Sequence, residues 1–261
     1  MSYTVDLVIR IMVATALAVI FGNGSVVAFN NIKPSWFADY PDAKDIRNTG
    51  SNSKEKNIAD KEKTLPPKLV EADSNGRQRL PSTPWKFAFV GYFGIVGIYL
   101  AIRGGSVEYE IYVMCVLFVL LEMSICDYLY MVVPDQFSIA LALMSVVFAG
   151  YYENWWEPIA GAGIGLLLSL SILGLGLLIY KTGSIGGADI KFFTCMGLIA
   201  GRGGIVIIFI LTTIFFAIQS VVRISMGKGT IKDSMAMLPA GCMACTIYFL
   251  FLWNVWEIWI L

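Results

Sequence analysis

The sequence predicts an all-α, polytopic membrane protein of about eight transmembrane helices, with a cytoplasmic insert between the first two. Three observations predict it. Hydrophobic residues make up 57% of the 261 positions, mean hydropathy is +0.70, and the apolar residues fall in long blocks, which soluble chains do not show. A bilayer core of about 30 Å needs roughly 20 apolar residues per helix, fewer where a span is buried in protein. That template gives spans near 4–29, 85–103, 109–126, 136–152, 157–180, 189–201, 204–224 and 235–260.

The first span is followed, not preceded, by basic residues, so it is expected to be an uncleaved anchor with its N-terminus outside. The segment 30–84 is rich in Lys, Asp, Asn, Ser and Pro and has little to bury beyond Trp36, Phe37 and Tyr40. It is expected to be a cytoplasmic loop, partly disordered, whose charge faces water and lipid headgroups. Residues 85–261 then form a catalytic membrane domain. The sixth span is short, with Lys191 near its start and Gly201-Arg202-Gly203-Gly204 supplying the turn into the seventh. Read instead as one broken helix over 189–224, it lowers the count to seven and moves the C-terminus to the other side.

Charge decides the orientation, because short cytoplasmic loops carry excess Lys and Arg. Net charge is zero, yet 11 of the 19 basic residues lie between Lys33 and Lys86. With 30–84 inside, eight spans collect 16 basic residues on the inner side, leaving Arg103 and Arg202 outside and Arg10 within the first span. Both termini are then outside. Tyr151, Tyr152, Trp155 and Trp156, and Trp253, Trp256 and Trp259, fall at the expected outer interface, where aromatic rings prefer to sit.

Composition also excludes. There is no histidine, which removes imidazole acid–base chemistry, histidine metal ligands and the Ser-His-Asp and Cys-His arrangements together. Nucleic acid is not an expected partner of so neutral and apolar a chain. The five cysteines, Cys115, Cys126, Cys195, Cys242 and Cys245, sit in or at the ends of apolar segments at irregular spacing, so no disulfide framework is expected. Cys242 and Cys245 form a C-x-x-C inside a span, which reads as helix packing more readily than as a redox or metal pair.

The chemistry is expected of acidic residues. Asp127 ends the apolar run Ile111 to Cys126, and Asp189 stands in Gly186-Gly187-Ala188-Asp189 ahead of another apolar run. A carboxylate at membrane depth costs roughly 2.5–3.5 kcal/mol on insertion scales, so such residues tend to be kept for work. One span out and one span back separate them, so both loops, 127–135 and 181–189, return to the cytoplasmic face. Two carboxylates brought close share one proton at neutral pH. The ionised one can take a proton from water as that water attacks a peptide carbonyl, and the protonated one can hydrogen-bond the carbonyl oxygen. Gly183, Gly186, Gly187 and Ala188 would let an extended peptide approach, though a tight helix entry requires the same residues.

Plainer readings stand beside this one. Asp127 also fits an interfacial carboxylate at a helix end, and Asp189 an N-cap or first-turn acid favoured by the helix dipole. Asp135, after Pro134, is the better N-cap candidate for the fourth span. Glu122, one turn inside the third span, reads as a structural interhelical contact or as substrate-facing. Lys191 pairs with a carboxylate or snorkels to headgroups. The run Gly161-Ala162-Gly163-Ile164-Gly165 is expected to let the fifth helix pack closely.

Ile125-Cys126-Asp127 followed by Val132-Val133-Pro134-Asp135, then Gly186-Gly187-Ala188-Asp189-Ile190-Lys191, then Met237-Leu238-Pro239-Ala240-Gly241 together resemble the type IV prepilin leader peptidases. These are membrane aspartyl proteases of the GxGD class, and the resemblance covers roughly residues 85–250. It implies that Asp127 and Asp189 are the two catalytic aspartates, with Gly186, Gly187, Ala188, Lys191, Glu122, Pro134 and Asp135 binding substrate or supporting the site. It implies a prepilin or pseudopilin precursor as protein partner, cut at the cytoplasmic face of the cell membrane between its short basic leader and its hydrophobic segment. Proteolysis of this kind needs no cofactor. Many relatives also methylate the new N-terminus with S-adenosylmethionine and carry two C-x-x-C pairs, a zinc-type arrangement, between the first two spans. The insert 30–84 here has no cysteine, so no metal is expected there, and Ala188 replaces the usual glycine. Two other readings use the same acids: a presenilin-like intramembrane protease, and a proton- or cation-coupled transporter.

Overall fold

Each apolar block folds into a helix, because a backbone in lipid must satisfy its own hydrogen bonds. The structure is a computed structural model. It describes residues 3–33, 36, 71–72, 78–104, 106–180, 186–227 and 235–253. Among the described residues seven α-helices follow in order: α1 Tyr3–Asn31, α2 Ser82–Arg103, α3 Val107–Tyr130, α4 Asp135–Ala149, α5 Trp156–Tyr180, α6 Gly187–Ser225 and α7 Leu238–Ile247, the last running on into a π turn, Tyr248–Leu252. The two-residue strands β1 Glu71–Ala72 and β2 Gln78–Arg79 pair antiparallel within the insert. Most of the expected loop 30–84 lies outside the described residues.

Among the described residues five helices, α1, α2, α3, α5 and α6, are long and apolar enough to cross a membrane, while Asp135–Ala149 and Leu238–Leu252 are shorter apolar helices. The chain is therefore a multi-pass membrane protein built on helices. The expectation of eight spans exceeds the five helices that satisfy the criterion of length.

The chain divides into two units. The first holds residues 1–114, 125–132 and 220–235. Here α1 lies along α2 through small residues, which let backbones approach where lipid supplies no hydrophobic drive. A Cβ on Gly22 would collide with the Val90 backbone, and one on Gly97 would stand 3.0 Å from the Ala14 Cβ. Arg10 within α1 is held by Asp6 at 2.8 Å and by the buried Glu110 at 3.4 Å, the pairing that makes charge tolerable at such depth. At the other end of α1 the Asn30 side chain donates to the Leu80 carbonyl at 2.9 Å and accepts from its N–H at 3.0 Å. One amide thus satisfies both backbone groups where the chain returns from the insert.

The second unit holds 115–124, 133–219 and 236–261. A straight helix over Gly187–Ser225 would be nearly 60 Å long, about twice the bilayer core. It is not straight. Gly201 breaks it with φ 70° and ψ −174°, a conformation open to glycine and strained for other residues. The Phe193 and Phe209 rings, on opposite sides of the break, lie 5.1 Å apart, where a straight helix would separate their Cα atoms by about 24 Å. The element is a hairpin with antiparallel legs 187–200 and 202–225, bent within Gly201-Arg202-Gly203-Gly204. The Tyr152 hydroxyl donates to the Ile199 carbonyl at 2.9 Å and the Tyr248 hydroxyl to the Ala200 carbonyl at 3.3 Å, so carbonyls that lose helical partners at the break are satisfied. Beside the turn, Arg202 is ion-paired with Glu157.

Helix α5 closes on this hairpin through the glycine run. A Cβ on Gly161 would strike the Gly197 carbonyl and the Gly201 backbone, and one on Gly165 the Phe193 carbonyl, whereas nothing lies within 4 Å of one on Gly163. Trp155 and Trp156 stack and stay exposed, as an interfacial belt requires. Trp253, expected in that belt, is instead 8% exposed. It packs among Phe148, Tyr151, Tyr152, Tyr248 and Phe249, because the π turn directs it inward. Trp256 and Trp259 lie outside the described residues.

Candidate active site

Asp127 sits in the last turn of α3 and is 8% exposed. Its carbonyl accepts the Met131 N–H at 2.9 Å, and Met131, at φ 54°, ends the helix in the left-handed conformation. Pro134 then prevents any continuation. The helix therefore stops at Tyr130, three residues past Asp127, and leaves its carboxylate at a helix terminus. Asp127 belongs to the first unit.

The remaining candidate residues lie in the second unit. Asp189 stands in the first turn of α6, half-buried. Its Oδ2 accepts the Gly186 N–H at 3.2 Å, and its own N–H donates to the Gly186 carbonyl at 3.1 Å. This is the reciprocal arrangement by which a third-position acid closes a helix start. Gly186 and Gly187 are exposed. A Cβ added to Gly187 would meet no described atom within 4 Å.

Asp135 and Lys191 come together. Lys191 Nζ donates to Asp135 Oδ1 at 2.5 Å, with both side chains about half exposed. Asp135 had been the expected N-cap of α4. Pro134 holds that position instead, without a side-chain cap, and Asp135 is the first helical residue; its carboxylate is turned to Lys191. One turn deeper, the Cys195 thiol donates to the Ser138 carbonyl at 3.4 Å. The starts of α4 and α6 thus lie side by side, which brings the Pro134-Asp135 corner to the Gly186–Lys191 stretch.

The third motif joins them. A Cβ on Gly241 would stand 2.8 Å from the Phe192 ring, so the Leu238-Pro239-Ala240-Gly241 segment packs on the helix that carries Asp189. Ser124, buried in α3, donates to the Leu238 carbonyl at 3.1 Å. Sequence reading passed over Ser124 and Phe192, because a serine in an apolar helix and a phenylalanine in a span are both ordinary. Glu122 is 1% exposed. It lies closed off inside the protein.

Cys195, Cys242 and Cys245 are buried thiols outside any disulfide. Among the described residues no group of three His, Cys, Asp or Glu side chains could hold a metal ion, and the insert has no cysteine.

No curated protein and no solved structure matches the chain. Residues 111–222 match the type IV leader peptidase family, a stretch that includes Asp127, Pro134, Asp135 and the whole of Gly186–Lys191 and stops short of Leu238–Gly241. Over residues 111–222 the chain is thus similar to the proteases of the type IV leader peptidase family.

Proposed function

We propose that this protein is a membrane aspartyl endopeptidase that removes the short leader of type IV prepilin or pseudopilin precursors at the cytoplasmic face of the cell membrane. One observation carries the reading: the family match spans both aspartate motifs, in a chain that has no histidine to serve in their place. Asp127 and Asp189 act as a pair sharing one proton. The ionised carboxylate takes a proton from water as the water oxygen attacks the scissile carbonyl carbon. The protonated one hydrogen-bonds the carbonyl oxygen. The carbon–nitrogen bond then breaks, and the departing amine receives a proton from the pair. No covalent enzyme intermediate is needed.

Gly186, Gly187 and Ala188 supply the approach for an extended peptide. The absence of any described atom within 4 Å of a Cβ at Gly187 supports this. The basic bias of segment 30–84 and of the residues from Lys181 to Lys232 supports a cytoplasmic active face. Co-expression with a prepilin tests the reading: leader loss that depends on both Asp127 and Asp189 is expected, and ion-dependent uptake into proteoliposomes without proteolysis would favour a transporter instead. Labelled S-adenosylmethionine added to the same reaction tests the second activity that the resemblance implies. Label on the new N-terminus marks a bifunctional enzyme, and its absence a peptidase alone.

A further inference from the structure

We infer that the Asp135–Lys191 ion pair is a latch that holds the first turn of α6, and with it Asp189, in helical form. The inference rests on the proposed peptidase reading for its effect on cleavage, but not for its effect on structure.

The first turn of α6 is shallow. Residues 186–191 include no buried residue, whereas Phe192 and Phe193, immediately after, are 0% and 1% exposed. Two glycines open the helix, and glycine gives up more backbone freedom on ordering than any other residue. A weakly packed helix end frays. Among the contacts that hold this turn are the closure of Asp189 onto Gly186 at 3.2 Å and the reach of Lys191 to Asp135 at 2.5 Å. The first uses the Asp189 carboxylate itself, so it must weaken whenever that carboxylate turns to a substrate or water. The second does not draw on the Asp189 carboxylate.

Asp135 makes a firm post for it. Pro134 fixes the backbone just before it, and Val133 and Pro134 are buried. Lys191 and Asp135 are thus positioning residues that act through Asp189. An exposed pair contributes little to global stability, so its loss should free one turn and leave the fold intact. A misplacement of about 1 Å in a reacting group can cost on the order of 100-fold in rate.

The test uses the full-length protein in lipid nanodiscs, with Asp135→Ala, Lys191→Met and the exchanged pair Asp135→Lys with Lys191→Asp. Hydrogen exchange at amides 187–191 should quicken in each single variant and slow again in the exchanged pair, while amides 193–200 stay protected throughout. For prepilin cleavage, kcat should fall about 10- to 100-fold with KM nearly unchanged, and the exchanged pair should recover part of it. Should a variant fail to fold, raising NaCl on the unaltered protein gives the same readout, because screening weakens an exposed pair and should quicken exchange at 187–191 alone. Unchanged exchange at 187–191 in folded single variants, or under salt, overturns the latch. Faster exchange in a protein that cleaves no prepilin leaves the latch standing and removes the peptidase reading.

Discussion

Gly161 and Gly197 meet backbone to backbone: a Cβ on either would collide with the carbonyl oxygen of the other. The contact fixes α5 against the first leg of the α6 hairpin, the leg that begins with Asp189. Gly163, two residues along α5, faces open space. The glycine run therefore divides into positions that packing requires and one that it does not.

Gly161→Val should lower stability by about 1–3 kcal/mol, the usual cost of overfilling a packed contact, or prevent accumulation in the membrane. Gly163→Val should be close to neutral. Thermal unfolding of the two variants in detergent checks the contrast, and equal effects would mean that the backbones do not approach as described.

The hairpin can be tested by cross-linking. With the native cysteines replaced by serine or alanine, Phe193→Cys with Phe209→Cys should form an intramolecular disulfide on mild oxidation, since the two rings are in contact. A continuous helix would hold the positions about 24 Å apart and give none. Gly201→Ala should be destabilising by about 1 kcal/mol or more, because a Cβ disfavours φ 70° and would press on the Tyr152 ring.

Gly187 separates folding from function. Gly187→Val meets no described neighbour, so its melting temperature should stay near that of the parent protein. Cleavage should fall by at least about tenfold if an extended peptide uses that space, a loss of roughly 1.4 kcal/mol in transition-state stabilisation. Normal cleavage by a stable Gly187→Val protein would show that the space is not used.

Much of this architecture was legible in the sequence, and the reasons are physical. Apolar blocks must become helices in lipid, so α1, α2, α3 and α5 fall close to their expected limits, and the glycines after Ala200 marked the hairpin turn. The motifs Pro134-Asp135, Gly186–Lys191 and Leu238–Gly241 were legible as chemistry because carboxylates and small residues are out of place in apolar surroundings. Hydropathy could not show which short helices cross the bilayer, since a 15-residue helix such as α4 can serve as a span or as a buried segment. Nor could it show that Trp253 turns inward, which depends on a π turn, or that Ser124 ties α3 to Leu238, which depends on packing between distant segments. Nor could it show that Asp135 is the first helical residue of α4 with Pro134 at the cap position, or that its carboxylate meets Lys191, 56 residues later.

The proton shared by the proposed pair sets the pH response. With one carboxyl protonated and one ionised, kcat/KM should follow a bell-shaped profile whose two limbs belong to the pair and not to either residue. Replacing either aspartate by asparagine should remove the bell together with the activity. A single-limbed profile that persists in one variant would show that the remaining aspartate acts alone.

The most direct measurement is prepilin cleavage by purified Asp127→Asn and Asp189→Asn proteins, each shown to be folded and inserted. Both should lose at least about 100-fold in kcat/KM, in keeping with general acid–base groups contributing 10²–10⁴-fold, and the double variant should lose little more than either single one. Leader removal at the normal rate by either variant would contradict the shared-proton mechanism.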